Sequence, residues 1–121
     1  MVPRGTRGSI EDPREDPTRN DRQGRRLNLS CLVFVFGDDG FEAEGTLKDV
    51  STSGCRVIST VELQRGMILK LSVFLPDHQW PLRVEEAIVR WTKGQEFGVE
   101  FTSIRLAERE RLRTLIMKAK I

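Results

Sequence analysis

The chain has 121 residues, of which 38% are hydrophobic and 31% are charged, which suits one compact domain with a very polar surface. Its formal net charge of +2 is too small to indicate bulk binding to nucleic acid. No apolar run approaches the ~20 residues that span a bilayer, and the N-terminus lacks the apolar core of a secretory signal. These features predict a cytoplasmic protein without membrane contact.

The first 21 residues are predicted to form a flexible N-terminal arm. Proline, glycine and charged residues follow one another there with almost nothing apolar. Such a composition cannot offset the conformational entropy that is lost on ordering. The folded domain is therefore predicted to span residues 22–121.

Six segments of this domain alternate between apolar and polar residues as β-strands do. A glycine- and aspartate-rich hairpin turn at 37–40 separates the first two. In the fifth segment the apolar parity shifts at Glu85 and Glu86, which predicts a β-bulge and places Ala87, Val89 and Trp91 on one face. The predicted strands are 27–36, 41–48, 55–59, 67–75 and 80–91, with a last strand through Phe97, Val99 and Phe101.

The final segment changes to a helical period and predicts one helix over 106–119. The apolar residues near one face are Leu106, Leu112, Leu115, Ile116 and Ala119, and those expected outside are Arg105, Glu108, Arg109, Arg111 and Arg113. The apolar stripe is predicted to cover either a barrel mouth or the apolar outer part of the first strand. The fold class is mainly β: a small six-stranded antiparallel barrel with a C-terminal helix.

A polar turn joins the second predicted strand to the third and contains Asp49, Ser51 and Gly54 in a DxSxxG pattern. One interpretation is a plain strand connection, since Asp and Ser side chains bond to nearby backbone amides and glycine adopts positive φ. The other is a nucleotide-binding loop. An aspartate accepts from donors such as those on the guanine edge, and a glycine permits a close backbone approach.

Three arginines stand just before the first strand, and two of them form an RxxxR pattern. They are Arg22, Arg25 and Arg26. An arginine fork of donors matches phosphate oxygens, so this segment can neutralise two phosphates. The spacing alone is weak evidence, because it recurs along the charged face of the predicted helix.

Together, and in this order, the two motifs resemble the paired RxxxR and DxSxxG motifs of PilZ domains, which are bacterial receptors for cyclic di-GMP. The resemblance covers residues from about 22 to 121 and includes the later strands at 89–91 and 98–101. It implies that arginines clamp cyclic di-GMP against the barrel while the turn holds a guanine. The matching positions are Arg22, Arg26, Asp49, Ser51 and Gly54; Arg25 is an extra cation, and Trp91 either stacks on the ligand or packs in the core.

The resulting hypothesis is a monomeric cyclic di-GMP receptor in second-messenger signalling, whose arginine arm becomes ordered on binding and signals to a downstream protein partner. Two alternatives stay open. Some PilZ-like barrels are protein-interaction adaptors that bind no nucleotide, although these usually lack the arginine motif. A small barrel can also bind nucleic acid through a basic arm, but such a barrel needs aromatic residues on an exposed sheet face.

Catalytic and metal sites find little support in the sequence. His78 is the single histidine and falls in a predicted turn, so Ser51 has no evident base to activate it. Cys31 and Cys55 lack the spacing of zinc ligands and are predicted to be buried free thiols. The adjacent pair Glu85 and Glu86 is predicted to be solvated. We therefore predict no enzyme activity, no cofactor, no metal and no nucleic-acid partner.

Overall fold

The computed structural model describes residues 25–119 of the chain. The predicted flexible arm at 1–21, and Arg22 with it, lie outside the described residues. Arg25 and Arg26 are the first described positions and lead directly into the first strand.

Six antiparallel strands close into a barrel, as predicted, and neighbouring strands pair in the order β1-β2-β3-β6-β5-β4. The predicted strand boundaries hold within a few residues. The fifth strand starts two residues later than predicted, because Pro81 has no amide hydrogen to donate to a neighbouring strand. The elements are β1 Leu27–Gly37, β2 Glu42–Val50, β3 Gly54–Ile58, β4 Ile68–Val73, β5 Leu82–Lys93, β6 Glu96–Ser103 and α1 Leu106–Ala119.

The barrel interior is filled by one face of each strand. Alternation along the strands turns every second side chain inward, where aliphatic residues dominate. Fully buried examples from five strands are Val33, Leu47, Val57, Leu69 and Val89. Both cysteines are free thiols, as predicted, but only Cys55 is fully buried and Cys31 is partly buried. Burial raises the pKa of Cys31 to about 11.

Register shifts interrupt several of the strand pairs and bend the sheet into a closed barrel. The predicted bulge in β5 is confirmed. Val84 pairs with Leu71 and Ala87 pairs with Leu69, so the two residues Glu85 and Glu86 face a single position on β4. This bulge keeps the side chains of Val84 and Ala87 both inside the barrel.

The C-terminal helix closes one end of the barrel. Leu112 is fully buried in the barrel core and Ile116 is nearly so. Arg109 donates to the carbonyl oxygen of Thr52 at 2.8 Å, which ties the helix to the turn between β2 and β3. Of the two predicted positions, the helix therefore takes the barrel mouth. On the apolar outer part of β1, Phe34 packs edge-to-face against Phe74, with ring centroids 5.4 Å apart, while Leu32 stays 41% exposed.

Three predictions about the helix faces were wrong. Ala119 was placed on the apolar face but is exposed at the end of the helix. Leu106 was placed on the apolar face but is 73% exposed, because it lies in the first turn beyond the barrel rim. Arg111 was placed outside, yet its side chain is 9% exposed. It donates to Asp77 at 2.8 Å and to the carbonyl oxygen of Trp80 at 3.0 Å. The long arginine stem packs inward while its head holds the loop before β5.

The ion pair between Asp77 and Arg111 predicts a loss of stability in acid. The hydrogen bond from Arg111 holds the pKa of Asp77 below its ordinary value. A lowered folded-state pKa stabilises the fold above the unfolded value, near 3.9, and this stability is lost as the pH falls through the folded value. We expect Asp77→Asn to lower the free energy of unfolding at pH 7 by about 1.5 kcal/mol.

Urea unfolding at pH 7 and pH 3 measures this effect. The difference between the wild type and Asp77→Asn should shrink at pH 3. Asp38→Asn, in the exposed hairpin turn between β1 and β2, is the matched control and should leave stability nearly unchanged. An equal deficit for Asp77→Asn at both pH values would mean that the carboxylate charge contributes nothing.

Among residues 25–119, no helix is long and apolar enough to cross a membrane.

Candidate functional site

The turn between β2 and β3 is fixed by backbone hydrogen bonds at the barrel end that carries the helix. The amide of Ser51 donates to the carbonyl oxygen of Gly54 at 2.8 Å, closing the turn. The amide of Phe101 donates to the carbonyl oxygen of Ser53 at 2.8 Å, which attaches the turn to β6. The loop backbone is thus held rigidly on two sides.

Ser51 lies inside this turn rather than on its surface. Its side chain is fully buried, and its hydroxyl accepts from the amide of Ser53 at 3.2 Å. The same hydroxyl lies 3.4 Å from the carbonyl oxygen of Gly54, to which it donates. In this conformation the Ser51 hydroxyl holds the turn together. The hydroxyl at the surface belongs to Ser53, which is exposed.

Gly54 is required for a reason other than its backbone angle. Positive φ occurs in the described chain at Gly40, Gly66 and Gly94, and Gly54 is not among them. A Cβ atom at Gly54 would instead lie 2.3 Å from the carbonyl oxygen of Val99 on β6. The glycine therefore permits β3 and β6 to approach closely, whereas the sequence had suggested positive φ or contact with a ligand.

Asp49 faces outward because of a bulge in β2. Leu47 pairs with Val57, but Asp49 pairs with Arg56, so one extra residue of β2 lies between the two pairs. Without this shift, Asp49 would share the inward parity of Leu47. The bulge turns the carboxylate onto the outer barrel wall, beside the start of β1.

The Asp49 carboxylate is shared by two arginines. Arg26 donates through Nε to Oδ1 at 2.9 Å, and Arg56 donates through Nε to Oδ2 at 2.8 Å. The Asp49 side chain is 11% exposed, because the two guanidinium groups cover it. Arg26 is thus brought together with Asp49 as the sequence motifs predicted, and Arg25 lies exposed one residue before it.

Arg56 was missed in the sequence analysis. It also donates through Nη1 to Glu96 at 3.0 Å. Arg56 on β3 therefore bridges one carboxylate on β2 and one on β6, the two strands that flank it. The hydrogen bond to Asp49 is the main reason that the pKa of the Arg56 guanidinium is raised. The sequence did contain a signal for Arg56. This residue lies two residues after Gly54, and its neighbours Cys55 and Val57 are buried, so its own side chain faces outward.

Trp91 lies on the outer wall, not in the core. A second, unpredicted bulge in β5 makes Val89 pair with Val99 but Trp91 pair with Gly98. The indole is 40% exposed and lies directly over Gly98, where a Cβ atom would come within 2.1 Å of its Nε1. The alternative of core packing is therefore wrong, and the inward parity predicted for Trp91 fails at this bulge.

Four residues paired across neighbouring strands form a continuous row on the outer wall, which we call the outer row: Asp49, Arg56, Gly98 and Trp91. Cross-strand pairing places them on β2, β3, β6 and β5 in that order. Three strand spacings give the row a length of about 14 Å. It presents a carboxylate, a guanidinium and an indole surface in sequence, with Arg26 at its carboxylate end.

This arrangement can bind a flat, polar and anionic ligand. The terminal nitrogens of Arg26 have no hydrogen-bond partner within residues 25–119 and are free to bind phosphate oxygens. The indole of Trp91 offers a stacking surface for a base. Asp49 supplies an acceptor for ring N–H groups.

The remaining candidates lie elsewhere. His78 is exposed and stacks on Trp80, with ring centroids 4.6 Å apart. Glu85 and Glu86 are exposed on the bulge of β5, as predicted. Among the described residues, no group of three His, Cys, Asp or Glu side chains is placed to hold a metal ion.

The fold and the outer row together define a small closed β-barrel domain with an arginine–aspartate cluster on its wall. The profile of the PilZ domain family matches residues 20–118, and the chain belongs to this family, whose members generally bind cyclic di-GMP. No curated protein matches the chain in sequence.

Solved structures that share the fold include the following three. The inhibitor of motility MotI/DgrA of Bacillus subtilis superposes with a TM-score of 0.70 at 20% identity, over 84% of this chain and 52% of that one. The PilZ domain of CeSA from a cellulose-synthesising bacterium gives 0.61 at 17% identity, over 79% and 98%. MrkH of K. pneumonia gives 0.63 at 14% identity, over 84% and 50%. The chain therefore aligns with about half of MotI/DgrA and of MrkH.

Proposed function

We propose that this protein is a receptor that binds cyclic di-GMP along the outer row and through the arginines before β1. The observation that carries the proposal is the Asp49 carboxylate, held on the barrel wall by Arg26 and Arg56 at 2.9 and 2.8 Å. It joins the two motifs, distant in sequence, at one point of the surface. The membership of the chain in the PilZ family supports the same ligand.

The phosphates of the ligand are assigned to the three arginines that precede β1. Arg26 is 47% exposed and, among the described residues, binds only Asp49 and only through Nε, so its two terminal nitrogens are assigned to phosphate oxygens. Arg25 is exposed beside it, and Arg22 is one RxxxR spacing away. Three cations on one short segment repel one another unless an anion lies between them, and two phosphates satisfy this requirement.

The bases of the ligand are assigned to the outer row. Guanine presents N1–H and N2–H donors on one edge, and the Asp49 carboxylate is the complementary acceptor. The exposed indole of Trp91 supplies a stacking surface at the other end of the row. Ser51 and Gly54 contribute indirectly, since they hold the turn that directly follows the end of β2, where Asp49 lies.

Signalling is proposed to follow from the position of the arginines at the junction of arm and barrel. When Arg22 to Arg26 bind the phosphates, the arm is held against the barrel and a downstream protein partner recognises the new surface. The binding of the ligand is the source of free energy for ordering residues 1–21, whose composition provides little of its own.

We expect the arm to be mobile in the free protein and ordered in the complex. Backbone ¹⁵N relaxation by NMR measures this, with the amides of β4 as an internal reference. The ¹H–¹⁵N heteronuclear NOE of the arm residues should rise when cyclic di-GMP is added and stay low when GMP is added. An arm that is equally rigid in both states would contradict the signalling role and leave ligand binding to be judged separately.

The binding proposal itself is tested by calorimetric titration with cyclic di-GMP, GMP, GTP and single-stranded DNA. Saturable binding of cyclic di-GMP, with much weaker binding of the other three, is expected. Preference for single-stranded DNA would indicate the nucleic-acid alternative. A barrel that binds none of the four would fit an adaptor that works without nucleotide.

A further inference from the structure

Arg56 and Arg26 share one carboxylate but are held very differently. Arg56 stands in the middle of β3 and is fixed from two sides, by Asp49 at 2.8 Å and by Glu96 at 3.0 Å. Arg26 precedes the first strand, and its one ion pair among the described residues is with Asp49. The Arg56 side chain is 33% exposed, against 47% for Arg26. Arg26 is therefore the partner that can leave Asp49.

The two arginines occupy different oxygens of Asp49. Arg26 binds Oδ1 and Arg56 binds Oδ2. With both in place, the side chain is 11% exposed and little of it is open to a ligand. Departure of Arg26 frees Oδ1, while Arg56 continues to hold Oδ2 and so fixes the plane of the carboxylate.

We propose that Arg56 is the positioning residue that sets base specificity: Arg26 moves from Asp49 to a phosphate, and Arg56 keeps Asp49 oriented so that Oδ1 accepts from guanine. This inference rests on the proposed function. The exchange conserves charge pairing, since Arg26 replaces one anionic partner with another. Glu96 supports it by holding the far side of the Arg56 guanidinium.

The loss of Arg56 should therefore reduce discrimination between bases as well as affinity. Without it, the Asp49 carboxylate keeps a single partner, Arg26, and follows that residue when it moves. A competing adenine, which lacks the guanine N1–H, is then rejected less strongly. A residue with a purely structural role would change stability without altering the preference between two ligands.

The experiment compares the affinities of Arg56→Gln and Arg56→Lys for cyclic di-GMP and cyclic di-AMP. Arg56→Gln should bind cyclic di-GMP about tenfold more weakly, as expected for one charge-assisted hydrogen bond. The preference of Arg56→Gln for cyclic di-GMP over cyclic di-AMP should also fall. Arg56→Lys should restore part of the affinity and part of the preference. The matched control is Arg113→Gln, which removes an exposed arginine of α1 paired with Glu110 at 3.8 Å and should change neither.

A double-mutant cycle tests whether Arg56 acts through Asp49. In an Asp49→Ala background, Arg56→Gln should cost less than about a further twofold, because the residue it positions is absent. Full additivity of the two losses would overturn the inference, as would a normal base preference in Arg56→Gln. If the wild type bound no cyclic di-GMP, the proposed function itself would fail. If Asp49→Ala bound cyclic di-GMP more weakly but Arg56→Gln bound it normally, only the role proposed for Arg56 would be rejected.

Discussion

Arg26→Ala should weaken binding of cyclic di-GMP by roughly 10- to 100-fold, equivalent to about 1.5–3 kcal/mol. Within residues 25–119 the terminal guanidinium nitrogens of Arg26 have no hydrogen-bond partner, and charge-assisted bonds to phosphate are among the stronger hydrogen bonds. The same loss of affinity is expected for Arg22→Ala, although Arg22 itself lies outside the described residues. Calorimetric titration of each variant measures the effect.

The fold should survive Arg26→Ala. The side chain is 47% exposed, and pairs at such exposure contribute about 0–1 kcal/mol to stability. Binding by the wild type should also weaken with added salt, since the arginines neutralise phosphates. Arg113→Ala is the control for a general change in surface charge. If Arg26→Ala bound cyclic di-GMP normally but had a lowered melting temperature, Arg26 would have a structural role only. The proposed contact between Arg26 and the ligand would then be rejected.

Asp49→Ala should lower affinity for cyclic di-GMP by a similar amount and should also erode the preference over cyclic di-AMP by about tenfold or more. The carboxylate is the acceptor for guanine N–H groups in our proposal, and adenine presents a different edge. Affinities of this one variant for both ligands, measured together with its melting, provide the test.

Asp49 also has a structural interpretation that this test separates. Its carboxylate holds Arg26 and Arg56 at the end of β2, and loss of such local bonds costs about 1 kcal/mol. Lowered stability is therefore expected in either case. Lowered stability with an unchanged base preference would reduce Asp49 to a structural link between strands. Asp38→Ala, in the exposed turn between β1 and β2, is the matched control.

The barrel was predictable from sequence because its strands have one buried and one exposed face. Alternation in segments such as β4 and β6 directly reflects this geometry. The bulge at Glu85 and Glu86 was also readable, since it reverses the apolar parity within one strand. The helix bounds followed from the change of period in the last segment, and the motif spacing indicated which strand connection lies beside the site.

The details of the site depend on register, which the sequence pattern did not reveal. The bulge in β2 that turns Asp49 outward and the bulge in β5 that turns Trp91 outward are set by cross-strand pairing. Arg56 is close to Asp49 for the same reason. Arg111 was misplaced because a charged side chain on a helix is normally solvated, whereas here Asp77 and the Trp80 carbonyl bind it.

The central claim is that cyclic di-GMP binds along the outer row, and the indole N–H signals of the two tryptophans test it most directly. Trp91 lies in the row, whereas Trp80 is 61% exposed in the loop before β5 and serves as an internal control. In a ¹⁵N NMR titration of the full chain, we predict a large shift of the Trp91 indole signal, with shifts of the backbone amides of Arg26, Asp49 and Arg56. Movement of Trp80 with Trp91 unchanged, or no saturable shift of either, would contradict the account.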